Sequence, residues 1–262
     1  YKINYEGITD TLIVPYQVEI DGEMYKVTEV NLTVTGISSD HFRGSVGLPS
    51  IENIIYPDTV KKIVGVSMWD NGKYTEESVL KTCILPNKIT EIPESLFKYN
   101  KKLTEINIPN GVTKIGDAAF SKCSGLASIN IPNGVTEIGV SAFNECSGLA
   151  SINIPNGVTE IGDDAFYECS SLASINIPNG VTEIGNNAFN KCSSLASINI
   201  PNGVTKIGYG AFYKCSGLTS INIPNEVTEI GYNAFRECSS LASVTYKGNT
   251  YTSKSAIKKA LT

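Results

Sequence analysis

Six of the seven cysteines in this 262-residue chain are spaced 23 residues apart. They are Cys123, Cys146, Cys169, Cys192, Cys215 and Cys238. A fixed period of roughly 20–50 residues is typical of proteins built from stacked repeats. Each repeat in such a protein buries its apolar side chains only against its neighbours. The spacing therefore predicts a solenoid, in which periodic residues form the scaffold and aperiodic residues are candidates for recognition.

Residues 126–148 show what one repeat contains. Residues 128–131 alternate polar and apolar side chains and stop at a proline, which predicts a short, half-buried strand. The Pro-Asn pair at 132–133 predicts a turn, and residues 135–138 a second short extended piece. Residues 142–146 are too few for an independent helix and predict one helical or 3₁₀ turn. The expected fold class is an α/β repeat solenoid of 23-residue coils, with short strands and one helical turn per coil.

The repeat pattern is regular in the second half of the chain and irregular in the first. Near the start, Asp21-Gly22 separates two strand-like segments and predicts a β-hairpin. Near the end, Ser253 is placed to cap a short helix. Such elements cover the open ends of a solenoid. The predicted parts are an N-terminal β cap with a degenerate first coil (1–50), degenerate repeats (51–102), six regular repeats (103–240), and a C-terminal β-hairpin and short helix cap (241–262).

The cysteines are predicted to be free and buried. Equivalent positions in stacked coils present their side chains in parallel, whereas a disulfide needs Cβ atoms that converge to about 3.8 Å. Each of the six follows an Ala-Phe pair, a core position, and the seventh, Cys83, takes the place of a strand isoleucine. There is no Cys-x-x-Cys pair, which argues against zinc. We expect thiols that pack as small apolar side chains.

Composition and motifs argue against several classes of function. The net charge is −5 and no run of lysine or arginine stands out, so the basic stripe that nucleic-acid binding needs is missing. No apolar stretch reaches the roughly 18 residues of a membrane span. His41 is the only histidine, and there is no phosphate-binding loop, zinc motif or nucleophile elbow. The chain is predicted to be non-catalytic, with no catalytic residue, cofactor or metal.

One candidate ligand surface is a column of asparagines, each two residues after a serine on the predicted strands. Both side chains point away from the core, because side chains alternate across a strand. They would form a flat, uncharged, hydrogen-bonding face. The alternative is a solvated ladder of amides and hydroxyls that bond to their neighbours. The candidate residues are Asn130, Asn153, Asn176 and Asn199.

A second candidate surface lies at aperiodic positions in adjacent coils. Tyr209, Tyr213 and Tyr232 could form one exposed aromatic patch with Arg236. Tyrosine and arginine are enriched at the centre of protein interfaces. The alternative is that these are isolated surface tyrosines.

Charged residues form two further columns. One contains Lys122, Glu145, Glu168, Lys191, Lys214 and Glu237, and the other contains Lys114, Glu137, Glu160, Glu183, Lys206 and Glu229. Opposite charges in neighbouring coils contribute little each, about 0–1 kcal/mol on a surface. The stripe Glu137, Glu160 and Glu183 could hold a cation weakly with Asp163-Asp164. No spacing of ligands within a loop supports calcium, however.

The repeat resembles the BspA-like leucine-rich repeats, also called the Treponema pallidum type. The likeness is carried by Leu-x-x-Ile-x-Ile-Pro, then Val-Thr-x-Ile-Gly, then Ala-Phe-x-x-Cys; it is close over residues 103–240 and loose over 51–102. The resemblance implies a right-handed solenoid on secreted or cell-surface proteins, common in anaerobes of the gut and mouth. Members are often called adhesins, and most have no assigned ligand.

These observations predict a non-catalytic, adhesin-like binding module on a secreted or cell-surface bacterial protein. The expected ligand is a protein or a glycan, with no nucleic acid, no membrane span in this chain, and a monomer favoured. Free thiols outside a cell would fit an anaerobic habitat. The alternative function is a structural spacer that carries other domains of a longer surface protein.

Overall fold

A computed structural model describes residues 11–13, 17–20, 23–26, 29–31, 53–64, 69–70, 73–74 and 80–261. Its elements are short strands and one C-terminal helix. The first strands are β1 (Thr11–Ile13), β2 (Gln17–Ile20), β3 (Glu23–Lys26), β4 (Glu29–Asn31), β5 (Asn53–Ile55), β6 (Lys62–Val64), β7 (Trp69–Asp70), β8 (Lys73–Tyr74), β9 (Thr82–Ile84), β10 (Glu91–Ile92) and β11 (Lys114–Ile115). The remaining elements are β12 (Ser128–Asn130), β13 (Glu137–Ile138), β14 (Ser151–Asn153), β15 (Glu160–Ile161), β16 (Ser174–Asn176), β17 (Glu183–Ile184), β18 (Ser197–Asn199), β19 (Lys206–Ile207), β20 (Ser220–Ile223), β21 (Glu229–Ile230), β22 (Ser243–Tyr246), β23 (Asn249–Tyr251) and α1 (Lys254–Ala260).

The first strand of each coil pairs in parallel with the first strand of the next coil. The largest sheet has the order β12-β14-β16-β18-β20-β22-β23, and identical residues face each other, as in Ile129 opposite Ile152. A second group, β1-β5-β9, is linked to it through bridges from Ile84 to Asn107 and from Asn107 to Asn130. The alternating Ser-Ile-Asn sequence explains the strand, because isoleucine is buried and its two polar neighbours are exposed.

A second, shorter ladder runs through the Glu-Ile or Lys-Ile pairs. Strands β10-β11-β13 and β15-β17-β19-β21 form parallel sheets, and β4 pairs with β6 near the N-terminus. The isoleucines of the regular coils face inward, and the charged residues face solvent. Together the two ladders give a leucine-rich-repeat β-solenoid of about seven turns, with about 23 residues per turn.

The segment between Ile138 and Cys146 is not the helical turn expected from the sequence. Ser141 and Glu145 have φ of 56°, in the left-handed region, whereas a right-handed helix needs negative φ throughout. Successive amides alternate between two kinds of acceptor. The Ala142 amide donates to the Gly139 carbonyl of the same coil (3.3 Å), and the Phe143 amide donates to the Ala165 carbonyl of the next coil (2.9 Å). The segment is therefore a third inter-coil ladder. A helix longer than one turn would direct successive amides to carbonyls of its own coil, without this alternation.

One continuous apolar core fills the solenoid. Leucine, isoleucine, valine, alanine, phenylalanine and cysteine recur in it once or more per coil, and Phe120, Phe143, Phe166, Phe189 and Phe212 are completely buried. The phenylalanine rings stack from coil to coil at centroid distances of 5.2–5.5 Å. The right-handed sense implied by the resemblance stays a prediction.

The predicted hairpins and helix at the two ends are present. Strands β2 and β3 pair antiparallel around the Asp21-Gly22 connection, with Ile20 opposite Glu23. This hairpin lies between β1 and β4, which already pair with β5 and β6. At the other end β22 and β23 form a hairpin, and the Ser253 hydroxyl accepts a hydrogen bond from the Ala256 amide at 3.2 Å. The part boundaries stay a prediction, and His41 lies outside the described residues.

Candidate functional site

All seven cysteines are free, and all except the half-buried Cys238 are buried. Each of the six periodic thiols donates to the carbonyl oxygen of a phenylalanine in the preceding coil; Cys146 Sγ, for example, lies 3.0 Å from the Phe120 carbonyl oxygen. Burial raises the pKa of Cys146 to about 12. The predicted burial is confirmed for every cysteine except Cys238. The hydrogen bond was missed, since the sequence pattern marks the position as core without showing which carbonyl faces it.

The asparagine column lies on the exposed face of the first sheet, as the sequence predicted. Asn130, Asn153, Asn176 and Asn199 occupy equivalent positions in four successive strands and are exposed. Within the described residues, these asparagines and the serines beside them form no side-chain hydrogen bonds. In contrast, the irregular coils do have such a contact, from the Thr82 hydroxyl to the Asn53 amide oxygen at 2.6 Å. The regular face thus keeps its donors and acceptors available to solvent or a ligand.

Tyr209 and Tyr232 form a stacked, exposed aromatic pair. Their ring centroids are 6.3 Å apart at an angle of 27°, and the two residues are 50% and 75% exposed. The equivalent positions in earlier coils hold Asp117, Val140, Asp163 and Asn186. The Asn186 amide oxygen accepts a hydrogen bond from the Tyr209 backbone amide at 2.8 Å, which fixes the backbone beneath the pair.

Tyr213 and Arg236 belong to a different cluster, centred on Glu237. The Tyr213 hydroxyl donates to the Glu237 carboxylate at 2.8 Å, and Arg236 Nε and Lys214 Nζ lie 3.7 and 3.6 Å from its oxygens. The hydrogen bond from Tyr213 and the nearby cations lower the pKa of Glu237. Among the described residues, no side-chain hydrogen bond, ion pair or ring stacking joins this cluster to the Tyr209–Tyr232 pair. The four predicted residues therefore form two pairs.

A groove runs along the solenoid between the first charged column and a column of serines. It has a volume of about 1020 Å³. Its charges are matched between neighbouring coils: Lys122 with Glu145 (3.4 Å), Glu168 with Lys191, and Lys214 with Glu237. The salt bridge with Glu168 raises the pKa of Lys191. The serines are Ser124, Ser147, Ser170, Ser193, Ser216 and Ser239. Because the ion pairs are internal, the groove presents little net charge to a ligand.

The acidic stripe is partly neutralised. Glu137 accepts a salt bridge from Lys114 at 2.6 Å, whereas Glu160 and Glu183 face each other directly in the second ladder. Asp163 accepts hydrogen bonds from Asn186. Across the described parts of the chain, no group of three or more His, Cys, Asp or Glu side chains is arranged to hold a metal ion. Over the same residues, no helix has the length and apolar character of a membrane span.

Comparison with known proteins places these features in a family. The model of the BspA-type leucine-rich-repeat region matches in six copies, over residues 23–150, 67–193 and 159–260. No curated protein matches the chain.

Solved structures of several bacterial proteins share this fold. A leucine-rich-repeat protein from Bacteroides ovatus has 26% identity and a TM-score of 0.65, over 90% of this chain and 63% of its own. The Treponema pallidum leucine-rich-repeat protein has 28% identity and a TM-score of 0.56, over 72% and 79%. The pneumococcal vaccine antigen PcpA, at 18% identity and a TM-score of 0.51 over 94% and 74%, shares the fold alone. This chain belongs to the BspA-type leucine-rich-repeat family.

Proposed function

We propose that this chain is an adhesin-like, non-catalytic binding module of a secreted or cell-surface bacterial protein. It belongs to the BspA-type leucine-rich-repeat family, similar solved structures come from bacteria, and one protein of the same fold is described as a vaccine antigen. The proposed ligand is a protein or a glycan. An anaerobic habitat stays a prediction that rests on the seven free thiols.

The observation that carries the proposal is the exposed pair of Tyr209 and Tyr232. These two tyrosine residues are half or more exposed, on a scaffold that buries every phenylalanine of the regular coils. Tyrosine combines a large apolar face with a hydroxyl, so it can stack on a sugar ring or an apolar side chain and also form a hydrogen bond. The inter-coil hydrogen bonds fix the backbone beneath the rings, so binding would cost little ordering entropy.

The test compares wild type and variants on a glycan and host-protein binding array. Each variant carries a residue that already occurs at the equivalent position of another coil. Tyr209→Asn with Tyr232→Asn introduces the residue found at Asn186, and we expect it to weaken binding about tenfold or more. The matched control is Tyr167→Asn, because Asn144 and Asn190 occupy that column. If wild type binds no array member, or if the double variant binds as wild type does, the tyrosine pair is not the ligand surface.

A structural spacer is the second candidate. The coils between residues 103 and 240 repeat nearly the same outward side chains on the first sheet. A ligand could therefore not distinguish one coil from the next on this face. A spacer needs only length and rigidity, which this uniform stack supplies. A full-length gene that encodes a catalytic or anchoring domain beside a solenoid that binds nothing on the array would favour this function.

A further inference from the structure

The last regular coil, residues 218–240, is covered on only part of its outer side. Strand β22 pairs with β20 and then with β23, and α1 contacts β22 and β23. These elements extend the first ladder. The second ladder ends at β21, which pairs only with β19 within the described residues. The third ladder likewise ends in this coil.

The preceding junction shows which backbone groups this edge leaves without partners. There the amides of Gly210, Phe212 and Lys214 donate to carbonyls of the last coil at 3.1, 2.7 and 2.9 Å. The equivalent amides in the last coil have no acceptor among the described residues. They are the amides of Asn233, Phe235 and Glu237.

Carbonyl groups on the same edge are also unpaired. At the preceding junction the Ile207 carbonyl accepts from the Gly231 amide at 2.7 Å, and the Thr205 carbonyl accepts from the Thr228 amide at 2.9 Å. The corresponding carbonyls of Ile230 and Thr228 have no backbone donor in the described part of the chain. The edge from 228 to 237 thus offers three donors and two acceptors in a fixed order.

Apolar side chains beside this edge are less covered than their counterparts inside. Phe235 is 9% exposed, whereas Phe212 is fully buried, and Cys238 and Ile230 are only half-buried. A cleft of about 850 Å³ lies between this coil and α1, with Ile257 and Leu261 on its far wall. Every earlier phenylalanine from Phe120 onward is covered on both sides by a neighbouring ring.

We propose that this edge binds an extended segment of another polypeptide with the chemistry of a repeat coil. The interior junctions show the expected bound geometry. The added segment would run parallel, its carbonyls would accept from the three amides, and its aromatic ring would stack on Phe235. A glycine must lie opposite Gly231, because the backbones approach closely there. A Cβ on Gly231 itself would lie 2.4 Å from the Gly208 carbonyl carbon. Addition of a strand to an exposed edge is a known mode of peptide recognition, and this inference does not rest on the tyrosine pair.

The test uses the full chain and a synthetic peptide with the sequence of residues 204–217, with alanine in place of Cys215. We expect the amides of Phe235 and Glu237 to exchange with solvent faster than those of Phe212 and Lys214 in the free protein. Peptide at ten times its Kd should slow the exchange of the Phe235 and Glu237 amides about tenfold. Exchange of interior amides should not change.

Two N-methylated peptides provide the matched pair. Methylation of the peptide amide that corresponds to Gly208 removes the bond to the Ile230 carbonyl and should weaken binding about tenfold. Methylation at the position of Phe212 alters an amide that faces away from the protein and should leave binding unchanged. The proposal is overturned if the unmodified peptide gives no protection, if both methylated peptides bind equally well, or if a scrambled peptide protects the same amides.

Discussion

Two coils with the same sequence pattern have different surroundings, the interior coil 149–171 and the last regular coil 218–240. In the interior coil Phe166, Cys169 and Ile161 are fully buried. In the last coil Phe235 is slightly exposed, and Cys238 and Ile230 are half-buried. The difference arises from what covers each coil, because the apolar positions are the same. A coil of this protein has no core of its own, and each neighbour supplies part of it.

The largest test of this comparison is removal of the same ring from both coils. Phe166 stacks on Phe143 and Phe189, whereas within the described residues Phe235 stacks only on Phe212. We expect Phe166→Ala to lower the free energy of unfolding by about 3–5 kcal/mol, because it leaves a closed cavity. Phe235→Ala should cost about 1–2 kcal/mol less, since one aromatic contact is missing and water can enter. Urea unfolding followed by circular dichroism measures both. Equal losses would mean that a coil's stability does not depend on its outer neighbour.

Glycine substitutions in another interior coil, residues 172–194, and in the last regular coil should give equal losses of stability. A Cβ on Gly185 would lie 2.6 Å from the Asp163 amide nitrogen, and one on Gly231 would lie 2.4 Å from the Gly208 carbonyl carbon. Both clashes are with the preceding coil, which the last coil also has. Gly185→Ala and Gly231→Ala should therefore each cost about 1–3 kcal/mol.

The matched control for this pair is Gly134→Ala. A Cβ there would meet its nearest atom, the Val112 carbonyl oxygen, at 3.4 Å, an ordinary contact. We expect a change within about 0.5 kcal/mol, as for most exposed positions. The urea midpoints of Gly185→Ala, Gly231→Ala and Gly134→Ala measure these differences in stability. If Gly231→Ala is tolerated as well as Gly134→Ala, the last coil is not held as tightly against its neighbour as the structure indicates.

The sequence predicted the strands and hairpins well because their signals are local. Alternation around Ile129 and the Asp21-Gly22 pair both produced the expected elements. The segment around Phe143 was predicted wrongly as a helical turn. Its amides alternate between the same coil and the next one, and no pattern within a single coil shows that the next coil will accept them.

The candidate surfaces were also predicted well where the signal is local and poorly where it depends on contacts between coils. The exposure of Asn130 and its counterparts follows from strand alternation, so the structure agrees with the sequence. The tyrosine patch depended on side-chain directions across coils. Tyr213 donates a hydrogen bond to Glu237, and Tyr209 stacks on Tyr232. The thiol hydrogen bonds also cross between coils. Side-chain contacts between repeats cannot be derived from the spacing alone.

Buried thiols give the smallest effect and a direct measure of how well each coil is covered. Burial raises the pKa of Cys169 well above its usual value, and that of Cys238 to about 12. A raised pKa in the folded state leaves stability unchanged below the unfolded pKa of about 9 and lowers it above that pH, because only the unfolded chain ionises. Between pH 8 and 10, wild type should lose about 1.4 kcal/mol more than Cys169→Ala. Urea unfolding at the two pH values measures this difference.

Cys238→Ala provides the comparison in the last coil. The Cys238 thiol of the wild type is also protonated in the folded protein at pH 10. Between pH 8 and 10, Cys238→Ala should therefore lose the same free energy of unfolding as Cys169→Ala. Access should differ, however: a thiol reagent at pH 8 should modify Cys238 first, and all seven cysteines only after denaturation. If wild type and Cys169→Ala lose the same free energy between pH 8 and 10, the interior thiol ionises in the folded state. The coils on either side would then not exclude water from Cys169, and burial by neighbours would fail as the basis of the comparison.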